Sequence, residues 1–309
     1  MSRPSPSPIY TLRGAGGPLN TLHFSCQGEG TPLLFSGSGN GAIHIWNLNS
    51  RRAEKIIEAH SGNSVIWLWF RSSCWWRSQG RDMQVCWWDV SEGRSELVES
   101  VRTGSVGFCQ CSLLETSPAN YLLAYAGEQT EEVRHQQCQL GLHDFPDSGS
   151  GPLLLAGYEN GSLLLWDVTQ RSKLSQVKAH PEPVMCLTFD TTSLRGVSGS
   201  SEKTLSSWRL DGQSNLQLQD CVTLVNPGVS QLCIRMDHKL LASAGWDHRI
   251  RVFGWKKLRP LAVLQYHTDM VLSVAFSDHR DPRQRVLAAG SKDQRISLWS
   301  VYNEGADTG

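Results

Sequence analysis

The sequence predicts an all-β fold, a seven-bladed β-propeller whose third blade is degenerate and shortened. Three observations carry that expectation. A hairpin signature recurs along the 309-residue chain, its closing aromatics fall at a nearly constant interval, and a histidine precedes three of the hairpins at a similar distance.

The hairpins line up directly: SGSGNGAIHIW ends at Trp46, SQGRDMQVCWW at Trp88, AGYENGSLLLW at Trp166, SGSSEKTLSSW at Trp208 and AGSKDQRISLW at Trp299. Each reads as a short strand, a tight polar turn and an alternating strand that finishes in an aromatic. Six residues before the aromatic come Asn40, Asp82, Asn160, Glu202 and Asp293. The same ruler laid on ASAGWDHRIRVF puts Asp247 six residues and Ser243 ten residues before Phe253, matching Ser36, Ser78 and Ser198. Trp246-Asp247 is therefore expected to be a hairpin turn, with Phe253 in place of the closing tryptophan.

The closing aromatics at 46, 88, 166, 208, 253 and 299 lie 42, 78, 42, 45 and 46 residues apart. The long gap is nearly two periods, and a degenerate unit around YLLAYAGEQTEEVRH at 121–135 fills it, which makes seven. Units of about 40 to 45 residues with four strands each have the period of a WD-repeat propeller. The third unit is short: about 30 residues separate its closing strand near Val133 from Trp166, so an outer strand is expected to be missing. The polar, turn-rich RHQQCQLGLHDFPDSGSG is expected to form a defective or loosely ordered sector.

His60, His180 and His267 sit 28, 28 and 32 residues before their aromatics, in AHSGNSV, AHPEPVM and YHTDMVL. Their expected purpose is a buried polar chain in which the loop His bridges the turn Asp and the Ser of the hairpin's first strand, shielded by the closing Trp. The expected members are His60, Ser78, Asp82 and Trp88; His180, Ser198 and Trp208; Asp247; and His267, Asp293 and Trp299. Only the His60 unit carries all four groups by this reading. The role assigned to them is structural, not catalytic.

After Trp299 come only Ser300-Val301-Tyr302 and a polar tail, whereas IYTLR at 9–13 is a strand with no blade of its own. That strand is expected to complete the last blade and remove an open edge. The domain then spans 9–302, with flexible tails at 1–8 and 303–309.

With 29 basic and 29 acidic residues and no long run of either sign, the chain lacks the footprint of a general nucleic-acid or acidic-membrane binder. No stretch of about 18 apolar residues or signal-like N-terminus occurs, so a soluble, intracellular protein is expected. Its nine cysteines, odd in number and scattered, read as reduced packing residues. In IWLWFRSSCWWRSQ, the crowded Trp67, Trp69, Trp75 and Trp76 are read as core packing, with an exposed adhesive patch as the alternative.

No G-x-x-x-x-G-K-[ST], G-x-S-x-G or H-E-x-x-H occurs. Cys109-x-Cys111 with His135-x-x-Cys138 has zinc-ligand chemistry, but the first pair is too tight for a usual knuckle. Ser5-Pro6 and Ser7-Pro8 match proline-directed phosphorylation sites, in a tail where such pairs are more often inert. No catalytic residue, metal site or cofactor is expected.

By resemblance to WD repeats generally, the residues just before the turn acids, Gly39, Arg81, Glu159, Ser201, Trp246 and Lys292, are expected to project from the narrower face. Trp and Arg dominate interface hot spots, so Arg81 and Trp246 lead the partner-surface candidates, with Tyr158, Glu159, His248 and Lys292 beside them.

Four strings, GSVGFCQCSLL, PLLLAGYENGSLLLWDV, LASAGWDHRIRVFGWKKLRPLAVLQYH and LAAGSKDQRISLWSVY, carry a more specific likeness. They resemble the guanine nucleotide-binding protein beta-subunit-like WD-repeat family, animal relatives of the fungal ASTRA-associated protein. The likeness covers nearly the whole chain, apart from the third unit and the Trp-rich hairpin. It implies a noncatalytic scaffold that supports co-chaperone-dependent assembly and stability of phosphatidylinositol-3-kinase-related kinases, DNA-damage signalling and chromatin regulation, in cytoplasm and nucleus. The expected partner is a kinase-maturation co-chaperone complex, with no direct nucleic-acid or membrane contact. Two rivals are a G-protein beta-like signalling adaptor and a substrate receptor of a ubiquitin ligase. For the first, MSRPSPSP offers three prolines and no heptads, so no gamma subunit is expected. For the second, Trp88-Asp89-Val90-Ser91 and Trp166-Asp167-Val168-Thr169 lack the usual Arg.

Overall fold

In a computed structural model the described residues are 6–25, 33–70, 75–90, 94–104, 110–117, 120–126, 133–136 and 151–303. They form seven antiparallel sheets, five of four strands and two of three. The fold is all-β. Among the described residues the regular helical structure is one 3-10 turn, Pro282–Gln284, and no helix is long and apolar enough to cross a membrane. The chain divides into two compact units, Met1–Phe108 with Cys233–Gly309, and Cys109–Leu232.

The first unit holds four-stranded sheets. Leu19–Ser25, Leu33–Ser38, Ala42–Asn47 and Arg52–Glu58 make one; Val65–Phe70, Trp75–Gly80, Gln84–Asp89 and Glu96–Arg102 make the next. A third joins Leu240–Gly245, Arg249–Gly254 and Arg259–Gln265 to the strand Val229–Ile234, within which the division between units falls. The last is Val271–Phe276, Leu287–Ser291 and Ile296–Trp299, and its fourth strand is Tyr10–Leu12 from the other end of the chain. Tyr10 pairs with Leu298, Thr11 with Ser297 and Leu12 with Ile296.

Continuous burial explains why the middle strands stack rather than lie open. Leu240–Gly245 is buried along its whole length and Ile296–Trp299 likewise, so both faces of the middle strands are covered. The outer Glu96–Arg102 is exposed at all but Val101. Leu12 packs with Leu22, Trp46, Ala288 and Leu298, so the N-terminal strand is held by burial as well as by its hydrogen bonds. A register shift precedes the closing aromatic at Ile45/Trp46, Trp87/Trp88, Leu165/Trp166 and Val252/Phe253, a bulge that re-aims each large ring.

The second unit holds Ser112–Ser117, Asn120–Ala126 and Val133–Gln136 as one sheet, then Leu153–Gly157, Ser162–Asp167 and Ser172–Lys178 as another. Val184–Asp190, Arg195–Ser200, Thr204–Leu210 and Leu216–Thr223 complete it. Among the described residues, the first of these sheets has no outer fourth strand. Among the described residues the next likewise has no counterpart of an inner first strand. Between Asn47 and Trp75 a regular unit has 27 residues, whereas only 16 lie between Gln136 and Leu153. The expected defective sector lies mostly in 137–150, outside the described residues.

Trp246 and Asp247 lie in the turn between Leu240–Gly245 and Arg249–Gly254, and Phe253 is buried at the closing position. In the Trp-rich hairpin, Trp76 is buried and Trp67 and Trp69 are half-buried, while the Trp75 side chain lies outside the described residues. Buried Arg77 sits over the Trp69 ring at 5.2 Å and the Trp87 ring at 5.8 Å, with which it shares a cross-strand row.

Candidate functional site

Four of the hairpin turns begin with a carboxylate or amide that accepts from the backbone two residues on. Asn40 accepts from Ala42 N at 3.2 Å, Asp82 from Gln84 N at 3.1 Å, Asn160 from Ser162 N at 3.0 Å and Asp293 from Arg295 N at 3.0 Å. This is the turn chemistry for which Asn and Asp are suited. At Gly161 the backbone is left-handed, and a Cβ there would collide with the His180 carbonyl, so only glycine lets the incoming link close on this turn.

That link carries the histidine. His60 N donates to Gly41 O at 3.1 Å, and the His60 ring reaches forward to the turn of the following sheet. His60 Nδ1 lies 3.0 Å from Asp82 Oδ2, Nε2 lies 2.8 Å from Ser78 Oγ, and Trp88 Nε1 donates to Ser78 Oγ at 2.9 Å. A neutral ring satisfies every group: Trp88 donates to Ser78, Ser78 to Nε2, and Nδ1–H to Asp82. Burial pushes the His60 imidazole below the ordinary 6.5, against the pull of Asp82. The order Asp, His, Ser copies a hydrolase triad, but Ser78 is fully buried and already accepts from an indole, so no substrate carbonyl reaches it.

His267 makes the equivalent chain with a different hydroxyl. Nδ1 lies 3.0 Å from Asp293 Oδ2, but Nε2 meets Ser297 Oγ at 2.7 Å, and Trp299 Nε1 donates to that same oxygen at 2.8 Å. The expectation of a hydroxyl from the hairpin's first strand fails here because that position is Ala289. Ala289 pairs across the ladder with Ser297, which supplies the group from the neighbouring strand. So two units, not one, hold all four groups. Burial lowers the His267 imidazole as well, outweighing Asp293.

His180 Nδ1 lies 2.8 Å from Glu202 Oε1 and Nε2 2.8 Å from Ser198 Oγ, with Thr204 Oγ1 donating to Glu202 at 2.9 Å. Trp208, expected in this chain, is not in it. Its indole stacks on Phe189 with centroids 5.5 Å apart, and its buried Nε1 has no hydrogen-bond partner. The cause is Gly196, which faces Trp208 across the ladder: a Cβ there would lie inside the indole, so its absence lets the ring drop over the strand and away from Ser198.

Asp247 has no histidine. Arg251 fills the role, with Nη1 to Oδ1 at 3.0 Å and Nη2 to Oδ2 at 2.6 Å, a bidentate and largely buried pair. Ser297 and Arg251 each stand two residues before their closing aromatic.

These chains fix the turns that carry the partner-surface candidates. Arg81 N donates to Ser64 O at 2.9 Å and Lys292 N to Met270 O at 2.9 Å, so both residues are clamped by backbone to the preceding link. In the first unit Lys292 and His248 are exposed, and Arg81 and Trp246 half-buried. His248 takes the left-handed position of its turn. In the second unit Glu159 is exposed, while Tyr158 is half-buried with its hydroxyl turned inward.

Among the described residues no group of three or more His, Cys, Asp or Glu side chains is placed to hold a metal ion. Of the zinc-like set, Cys109, Cys138 and the His135 side chain lie outside the described residues, as does Ser5.

Residues 6–47, 220–254 and 258–300 match the family described as WD domain, G-beta repeat. The Mus musculus guanine nucleotide-binding protein subunit beta-like protein 1 is 45% identical, over 97% of this chain and 97% of its own. The chain belongs to that WD-repeat family. The ASTRA-associated protein 1 of Schizosaccharomyces japonicus is 28% identical over 96% of this chain and 99% of its own, and that of Schizosaccharomyces pombe 25% over the same shares. Among solved structures, the β-propeller domain of Myceliophteria thermophila Cps50 (Swd1) covers 96% of this chain and 99% of its own with a TM-score of 0.74. At 17% identity that likeness speaks for the fold alone. WD-repeat propellers are platforms for protein–protein interaction, and the fungal relatives bear the name ASTRA-associated protein.

Proposed function

We propose that this chain is a noncatalytic scaffold of seven blades, the third degenerate, spanning residues 9–302. It serves the co-chaperone-dependent assembly and stability of phosphatidylinositol-3-kinase-related kinases, and through them DNA-damage signalling and chromatin regulation, in cytoplasm and nucleus. The observation that carries the reading is end-to-end kinship with proteins named ASTRA-associated. The clamped turns of the first unit support a partner surface built on Trp246 and Arg81, with His248 and Lys292 beside them; Tyr158 and Glu159 are the second unit's candidates. Rigid turns that carry an aromatic and a guanidinium need little ordering on binding.

Affinity purification with mass spectrometry tests this, comparing wild type with a Trp246→Ala, Arg81→Ala double variant whose thermal melting is checked. Recovery of kinase-maturation co-chaperones by wild type and their loss from the folded variant is the expected result. Recovery of gamma subunits or cullin adaptors instead overturns the reading, and unchanged binding by the variant removes this surface from it.

A further inference from the structure

An antiparallel meander turns alternately at its two ends, so the Trp246 and Lys292 turns occupy one end of their sheets and a different set of loops the other. That opposite end is formed by 235–239 and 255–259 from one sheet, and by 277–286 and the segment 300–303 from the next, all in the first unit. Hydrogen bonds join these pieces into one surface. Arg285 Nη1 donates to Asp237 Oδ2 at 3.1 Å, and Trp255 N to Lys239 O at 2.9 Å. Buried Arg235 holds Asp237 and donates to the carbonyls of Val301 at 3.2 Å and Tyr302 at 3.3 Å. Asn303 Nδ2 donates to Arg285 O at 2.8 Å.

This surface is basic in a chain whose net charge is zero. Arg235, Lys239, Lys256, Lys257, Arg259, Arg280, Arg283 and Arg285 face three carboxylates, Asp237, Asp278 and Asp281, an excess of five positive charges. Asp237 is already engaged by Arg235 and Arg285. Gathering like charges on adjacent loops costs stability through self-repulsion. Packing does not demand it of Lys257, Arg259 and Arg280, which are exposed. Among them stand two exposed apolar side chains, Met236 at 52% and Tyr302 at 53%.

We propose that this end is a docking surface for an acidic peptide segment of a protein partner, with carboxylates on Lys257, Arg259 and Arg280 and an apolar side chain against Met236 and Tyr302. A polyphosphate backbone fits less well. The three interspersed carboxylates repel a continuous line of charge but leave room for spaced ones, and the neutral chain provides no broad field to gather nucleic acid. The surface is separate from the Trp246 turns, so it stands or falls independently of the function proposed above.

The test is fluorescence anisotropy of the full chain with a short labelled peptide rich in Glu and Asp that carries one Leu and one Phe. Wild type is expected to bind it saturably and more weakly as salt rises. Lys257→Glu, Arg259→Glu, Arg280→Glu together are expected to weaken binding about tenfold or more, with the Trp246→Ala chain unchanged. A milder Lys257→Gln, Arg259→Gln pair, expected to weaken it less, serves if the reversal disturbs folding. No saturable binding by wild type, equal binding by wild type and charge variants, or tighter binding of a single-stranded oligonucleotide than of the peptide would each overturn the proposal.

Discussion

The chain built on His60 and the chain built on His180 begin alike and end differently. Both imidazoles bridge a turn carboxylate and a strand serine at nearly the same distances. In the first, the closing Trp88 donates to the serine and stacks on Trp76, which faces it across the ladder, with centroids 5.2 Å apart. In the second, glycine occupies the facing position, and Trp208 spends its ring on covering Gly196 against Phe189 instead of on the serine. A polar chain is therefore decided as much by the apolar residue opposite its tryptophan as by its own polar members.

Five substitutions probe that contrast. His60→Ala removes the ring that bridges a buried network, so that Ser78 keeps only Trp88 and Asp82 only its turn amide; a loss of about 3 to 4 kcal/mol in chemical denaturation is expected. A loss below about 1 kcal/mol would mean that water replaces the ring and that the chain contributes little. Gly196→Ala puts a methyl where the Trp208 indole lies, and a loss of about 2 kcal/mol is expected from overpacking. The corresponding glycine-free position tolerates bulk, so Trp76→Phe is the control, and near-neutral Gly196→Ala would show that Trp208 can swing back toward Ser198. The smallest effect separates the two indoles. Trp88→Phe should cost about 1 kcal/mol more than Trp208→Phe, because only Trp88 gives up a buried hydrogen bond. Equal costs would place the difference in ring packing alone.

Much of this was readable in the chain. The turn acids, the loop histidines and the recurring aromatics are local signals whose spacing reflects one repeated unit, and the interval of 42 to 46 residues survives even where letters change. The turn identity of Trp246-Asp247 followed from the same ruler. What escaped were substitutions that work through the ladder. Ser297 replaces a hydroxyl absent at Ala289 because the two are cross-strand partners, and such an exchange shows only when the register is known. Arg251 reaches Asp247 from within the same hairpin, where the repeat pattern offered no histidine. Gly196 reads as an ordinary strand glycine until the indole opposite it is seen.

The sequence by itself determined the class of fold and the places of the turns, because a period of two within strands and a period of about 42 between hairpins can be satisfied by stacked four-stranded units and by little else. Only the tertiary structure decided which polar groups meet. It also joined Tyr10–Leu12 to Ile296–Trp299 and gathered the cations of three separated loops onto one end of two sheets. The physical reason is range. Strand and turn preferences act over a few residues, whereas these pairings join positions up to almost the length of the chain apart and exist only once the sheets have buried their shared faces.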